Sequence, residues 1–173
     1  MAELLKEIIH KPGLRINGRT IARESVRGII PSGQKLLMVY VAKNGGYKFP
    51  GGGIRSDETH EAALRREIQE ESGAALTRIE SFFCAVVEYH VPIERDYDVF
   101  RKTSSYYVCR VDNQLGACHL EPDEQELGFT PAWIDVEAAI RANALLVHGK
   151  GQGAPQWAKR ELYVLRQVQM LTK

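Results

Sequence analysis

Residues 51–74 read GGGIRSDETHEAALRREIQEESGA. Gly51, Gly52 and Gly53 follow a short apolar stretch, and a helix-forming segment runs from about Thr59 to Ser72. Thr59 suits the N-cap, and Gly73 suits the position just past the last turn. At 3.6 residues per turn, Glu67, Glu70 and Glu71 fall within an arc of about 100°. Like charges three and four apart cost roughly 0.2–0.5 kcal/mol per pair. The last turn is also where the helix dipole disfavours anions. A segment that breaks two local preferences in one place points to a use for its carboxylates. Oxygen ligation of a hard divalent cation such as Mg²⁺ would supply one. The plainer alternative is a solvated acidic face, with Arg66 against Glu70 and Arg65 against Glu61. The glycines weigh against it, because they let a ligand approach the backbone and let a turn present a carbonyl to a metal and amides to phosphate oxygens.

Upstream of this segment, residues 1–24 read as a lead-in with a turn at Asn17-Gly18. Ser25 to Ile30 reads as a strand, Pro31-Ser32-Gly33 as a turn and Lys35 to Ala42 as a second strand. Asn44-Gly45-Gly46 turns into a short strand from Tyr47 to Phe49. Downstream, Ile79 to Val91 and Thr103 to Val111 read as long strands joined by a polar link, Pro92 to Lys102. A short strand from Leu127 to Ile134, a short helix from Val136 to Asn143 and a flexible loop from Gly149 to Pro155 follow. An amphipathic helix then runs from Trp157 to Leu171, with Trp157, Val164, Leu165, Val168 and Leu171 along one side. Strands, helix, strands, helices is the order of a mixed α/β fold with helices packed on a mixed sheet, not of a βαβ repeat.

Residues 52–74 resemble the Nudix box, G-x5-E-x7-R-E-U-x-E-E-x-G-U, where U is a bulky aliphatic residue. The fixed letters fall on Gly52, Glu58, Arg66, Glu67, Ile68, Glu70, Glu71 and Gly73, with Ala74 at the final aliphatic position as a soft departure. Phe49-Pro50-Gly51 is similar to the family's lead into the box. The resemblance implies an α/β/α sandwich, with the whole of residues 1–173 as one Nudix domain and the box as loop–helix–loop. It implies hydrolysis of a nucleoside diphosphate linked to another group, with Mg²⁺ or Mn²⁺ as cofactor. Carried over by position, Glu67, Glu70 and Glu71 become metal ligands with the Gly52 carbonyl. Glu67 also becomes the candidate base for the attacking water, Arg66 orients a box carboxylate and Glu58 supports the loop. Metal ions and a positioned carboxylate are what attack on an anionic diphosphate requires. A non-catalytic nucleotide sensor is the competing reading. The intact set of box glutamates favours the enzyme.

Glu121, Asp123, Glu124 and Glu126 form a second acidic cluster. The resemblance makes Glu124 or Glu126 a candidate extra base or ligand, against a solvated loop. Tyr47 and Phe49 could stack on a base or ribose, although strand aromatics are more often core. Arg95 and Arg101, in the polar link, could meet a phosphate or a base. His60 and His90 have no metal-like partner spacing.

The remaining features are permissive. The chain has 173 residues, 44% hydrophobic and 26% charged, which suits one domain. A net charge of +1 gives no reason to expect a nucleic-acid or membrane partner, so an anionic substrate must be met locally. Cys84, Cys109 and Cys118 form no zinc pattern and read as reduced thiols in a cytoplasmic protein. The N-terminus lacks the apolar stretch of a secretory signal, and no run is long enough to span a membrane. A homodimer and the identity of the nucleotide substrate stay open.

Overall fold

A computed structural model describes residues 4–149 and 153–171. In chain order the strands and first helix are β1 (Leu4–Ile9), β2 (Thr20–Ile29), β3 (Pro31–Ser32), β4 (Lys35–Val41), β5 (Gly46–Lys48) and α1 (His60–Ser72). There follow β6 (Leu76–His90), β7 (Val99–Val111), α2 (Pro122–Leu127), β8 (Phe129–Asp135), α3 (Val136–His148) and α4 (Gln156–Leu171). One sheet has the order β1-β6-β7-β2. Its outer pairs are parallel and its central pair antiparallel, so it is mixed. A second, antiparallel sheet is built on β4, with β8 on one edge and β3 and β5 on the other.

The core lies in two layers because successive strand residues face opposite sides. Ile29, Leu36 and Met38 join Val164, Leu165 and Val168 of α4 and Ala139 of α3. Ile30 and Leu37 instead join Ala63, Leu64 and Ile68 of α1. The sheets are thus sandwiched between α1 and the α3–α4 pair, the expected α/β/α arrangement. Among the described residues, no helix is long and apolar enough to cross a membrane.

The lead-in over residues 1–24 needs correcting. It holds all of β1 and the first residues of β2. Local pattern could not show this: Leu5 and Ile9 are exposed, and β1 is held by backbone pairing to Cys84–Tyr89 of β6. Thr20 to Glu24 extend β2 because they pair with Val99–Thr103, which also shortens the polar link. Asp98 closes that link by accepting from the Arg19 amide at 2.7 Å. The expected helix from Val136 to Asn143 continues to His148, and the acidic loop contains the short helix α2. Leu171 is exposed, whereas Arg160 and Glu161 are buried on α4 beside its apolar residues. The loop expected from Gly149 to Pro155 falls partly on residues 150–152, outside those described.

Candidate active site

Helix α1 starts where the sequence places it. The Thr59 hydroxyl accepts from the Ala62 amide, and Gly73 closes the helix in the left-handed conformation (φ 69°). Its buried residues are Ala63, Leu64, Glu67, Ile68, Glu71 and Ser72, so two glutamates share the stripe that packs on the sheet. Gly51 adopts φ 144°, and a Cβ there would strike the Val26 carbonyl oxygen. This close approach carries the Gly51 amide to Glu71 Oε2, to which it donates at 2.7 Å. At Gly52 a Cβ would fall 2.5 Å from Glu67 Oε2, so the missing side chain is the space the carboxylate occupies.

Arg66 spends its guanidinium within the same segment. Nε and Nη2 donate to the two oxygens of Glu58 at 2.7 and 2.8 Å, a bidentate clamp. Nη2 also reaches the Gly53 carbonyl at 3.0 Å, and Nη1 donates to Glu67 Oε1 at 2.5 Å. Glu70 is held more loosely, 3.4 Å from Nη1. The Arg66 guanidinium holds the Glu58 carboxyl down to about 2. Burial acts the other way deeper in: it pushes Glu67 above its ordinary range and Glu71 up to about 7.

Carboxylate oxygens of Glu67, Glu71 and Glu124 lie within 4.8 Å of one another. Glu124 comes from the first turn of α2, where its Oε2 also accepts from the Glu121 amide at 2.8 Å. Of the two acids singled out beyond the box, it is the one brought inward. Glu126 is largely exposed and pairs with Lys43 at 3.4 Å. Glu70, expected beside Glu67 and Glu71, is outside this trio and turned to Arg66. The Gly52 carbonyl already accepts from the Val26 amide at 3.0 Å, so a metal would use its second lone pair.

Basic groups that the sequence reading passed over complete the site. Arg27 on β2 is buried and donates to the Gly51 carbonyl at 2.5 Å. Lys48 lies over the Phe129 ring, 4.6 Å from its centroid. Burial and the neighbouring Arg27 pull Lys48 down to about 8, against the attraction of Glu71. Burial, then Arg27 and Arg160, pull Lys102 down to about 7. A basic residue within an apolar strand, as in Ser25-Val26-Arg27-Gly28-Ile29 and Tyr47-Lys48-Phe49, was the signal available.

The expected substrate-contact residues lie elsewhere. Phe49 has no exposed surface and packs edge-on against Tyr106, 5.6 Å between centroids, so it has no face for a base. Tyr47 packs on the α3–α4 side, with its amide and carbonyl both bonded to the Asn143 side chain at 2.8 Å. Arg101 is exposed, next to the half-buried Lys102 on β7, and Arg95 is exposed in the link between β6 and β7.

A glycine turn that seats a carboxylate helix against one face of a two-sheet α/β/α sandwich defines a class, the Nudix fold. The NUDIX domain profile matches residues 22–156, and the chain belongs to the Nudix family. The fold is similar to that of a MutT NUDIX hydrolase from Burkholderia pseudomallei, at 20% identity and TM-score 0.52, covering 83% of this chain and 97% of that one. It is similar to the ORF135 protein of E. coli, at 20% identity and TM-score 0.53, covering 88% and 91%. A NUDIX hydrolase from Nitrosomonas europaea gives 15%, 0.53, 86% and 90%. At these identities the likeness is one of fold alone. No curated protein matches the sequence.

Proposed function

We propose that this chain hydrolyses a diphosphate bond in a nucleoside diphosphate-linked substrate, using Mg²⁺ or Mn²⁺ held by Glu67, Glu71 and Glu124. Glu70 and the Gly52 carbonyl stand at the edge of that set. One observation carries the reading: carboxylates from two separate helices converge within 4.8 Å. The donor set fits a hard cation, being all oxygen. Glu71 is 2% exposed and pushed towards its neutral form by burial, so a cation beside it would favour its charged form. When bound, the cation would neutralise phosphate oxygens and activate a water.

The chain's own residues do the rest. Glu67 is the candidate base: burial raises its proton affinity, and Arg66 Nη1 fixes the direction of its carboxylate. Glu58 holds Arg66 in turn. Lys48 and Arg27 place positive charge beside Glu71 that a net charge of +1 does not supply, and so favour an anionic substrate there. The three free cysteines support a reducing, cytoplasmic setting.

The experiment is hydrolysis of a panel of nucleoside diphosphate derivatives in ¹⁸O-labelled water, with Mg²⁺, with Mn²⁺ and with excess chelator. Activity should vanish in chelator, return with either ion, and place the label in a phosphate product. Full activity in chelator would sink the metal assignment. Label on a sugar carbon would replace diphosphate hydrolysis with glycosidic cleavage.

A further inference from the structure

His10 follows the last residue of β1, and Glu88 and His90 lie two apart near the end of β6. Spacing along the chain gave His90 no partner. The parallel pairing of β1 with β6 supplies one, since Ile9 lies opposite Tyr89 and the His10 amide donates to the Tyr89 carbonyl at 3.0 Å. His10 Nε2 is 3.0 Å from Glu88 Oε1, and His90 Nε2 is 4.0 Å from the same oxygen. The two imidazoles stack with centroids 4.2 Å apart and 11° between planes. The side chains of His10, Glu88 and His90 are 9%, 1% and 10% exposed.

His90 is the unexplained member. Its Nδ1 is one of two buried side-chain polar atoms that have no hydrogen-bond partner among the described residues. Its Nε2 points at Glu88 from beyond hydrogen-bond range. Glu88, by contrast, is held firmly: Arg160 Nη1 donates to its other oxygen, Oε2, at 2.6 Å, and Arg160 is itself balanced by Glu161. That leaves Oε1 facing both rings.

We propose that His10, Glu88 and His90 form a binding site for a borderline-soft divalent cation of the Zn²⁺ class, sharing no residue with the box. The three ligand atoms lie within 4.8 Å of one another. Bonds of about 2.0–2.1 Å place tetrahedral ligands about 3.3 Å apart. Because imidazole ligates through an in-plane lone pair, one ring must turn out of the 11° stack about its side-chain torsions for both nitrogens to meet one ion. Two imidazoles and one carboxylate, with a further position open, form a donor set that zinc accepts. The Arg160 bond to the second carboxylate oxygen is the outer contact that orients such a ligand. Mg²⁺ prefers oxygen alone, so the two sites select different ions. A cation here ties the edge strand β1 to β6.

The test saturates the carboxylate site with millimolar Mg²⁺ and then titrates Co²⁺, a visible reporter for zinc. Wild type should take up one equivalent with the intense absorption of a four-coordinate, nitrogen-ligated ion, and Zn²⁺ should displace it. His10→Ala and His90→Ala should weaken uptake at least tenfold. Because His90 is buried, His10→Gln serves as the milder variant and should also lose the Zn²⁺-induced rise in melting temperature. Absence of uptake by Mg²⁺-saturated wild type would overturn the site. So would uptake that is unchanged in both His10 variants but lost in Glu71→Gln.

Discussion

Arg66 binds four partners with one planar group: Glu58 through two bonds, Glu67, Glu70 and the Gly53 carbonyl. Lysine carries the same charge but lacks the fork, so it cannot grip Glu58 at two points while reaching Glu67. Arg66→Lys should therefore lower kcat/KM by about 10- to 100-fold, the usual cost of losing a group that orients a metal ligand. It should also raise the Mg²⁺ concentration needed for half-activation. Steady-state kinetics across a Mg²⁺ series checks this, and an unchanged activation midpoint would remove Arg66 from the positioning of Glu67. Two of the site's other cations show how finely residue position matters. Lys48 lies between Tyr47 and Phe49, and Lys102 lies beside Arg101. Lys48 feels the charges of Arg27 and Glu71, and Lys102 those of Arg27, Arg160 and Glu88, whereas the strand's period of two turns Arg101 to the exposed face.

At the scale of elements, the turn before α1 is the critical join. Gly51 serves both the backbone contact with Val26 and the amide contact with Glu71, and its φ of 144° suits glycine alone. Gly51→Ala should destabilise the fold by about 3 kcal/mol or more, from the strained conformation and the backbone clash together. Gly53→Ala is the control, because a Cβ there meets nothing within 4 Å. Thermal melts in metal-free buffer should separate the two variants clearly, and equal melting temperatures would show that the turn relaxes. Helix α4 makes a second join. Glu161 accepts from the Phe49 amide at 2.7 Å and from the Tyr106 hydroxyl at 2.9 Å, so a buried ion pair on the far layer fixes the strand that leads into the box.

For the molecule as a whole, the carboxylate site trades stability against function. Glu71 has its proton affinity raised in the folded state, to about 7 from an ordinary 4.5. A group raised in this way contributes stability that is fully present below the unfolded value and lost as pH rises through the folded one. The metal-free protein should therefore lose stability between about pH 5 and pH 8. Glu71→Gln keeps the shape and the acceptor for the Gly51 amide but has no proton to lose. In chelator its advantage over wild type should grow from near zero at pH 5 to the order of 2 kcal/mol at pH 8. Mg²⁺ should reverse the order at pH 8, because a ligand stabilises only the state that binds it. Melting curves of both proteins at the two pH values, with Mg²⁺ and with chelator, measure this. Parallel pH slopes would mean that Glu71 is not the group carrying the burden.

The segment from Gly51 to Ala74 was legible without coordinates because its geometry is local. A helical period, a capping threonine and glycines at the turn place Glu58, Arg66, Glu67 and Glu71 relative to one another within one contiguous stretch. The order of elements carried a mixed α/β fold, and the resemblance of the box to the Nudix motif carried the sandwich. Convergence across elements was not legible. That Glu124 rather than Glu126 reaches Glu67 and Glu71 depends on where α2 is docked. That Lys102 rather than Arg101 faces Arg27 and Glu88 depends on the register of β7. That His10 meets Glu88 and His90 depends on β1 pairing with a strand some eighty residues away in the chain. Register and docking are set by burial and backbone pairing between distant segments, and a shift of one residue would turn each side chain to the opposite face.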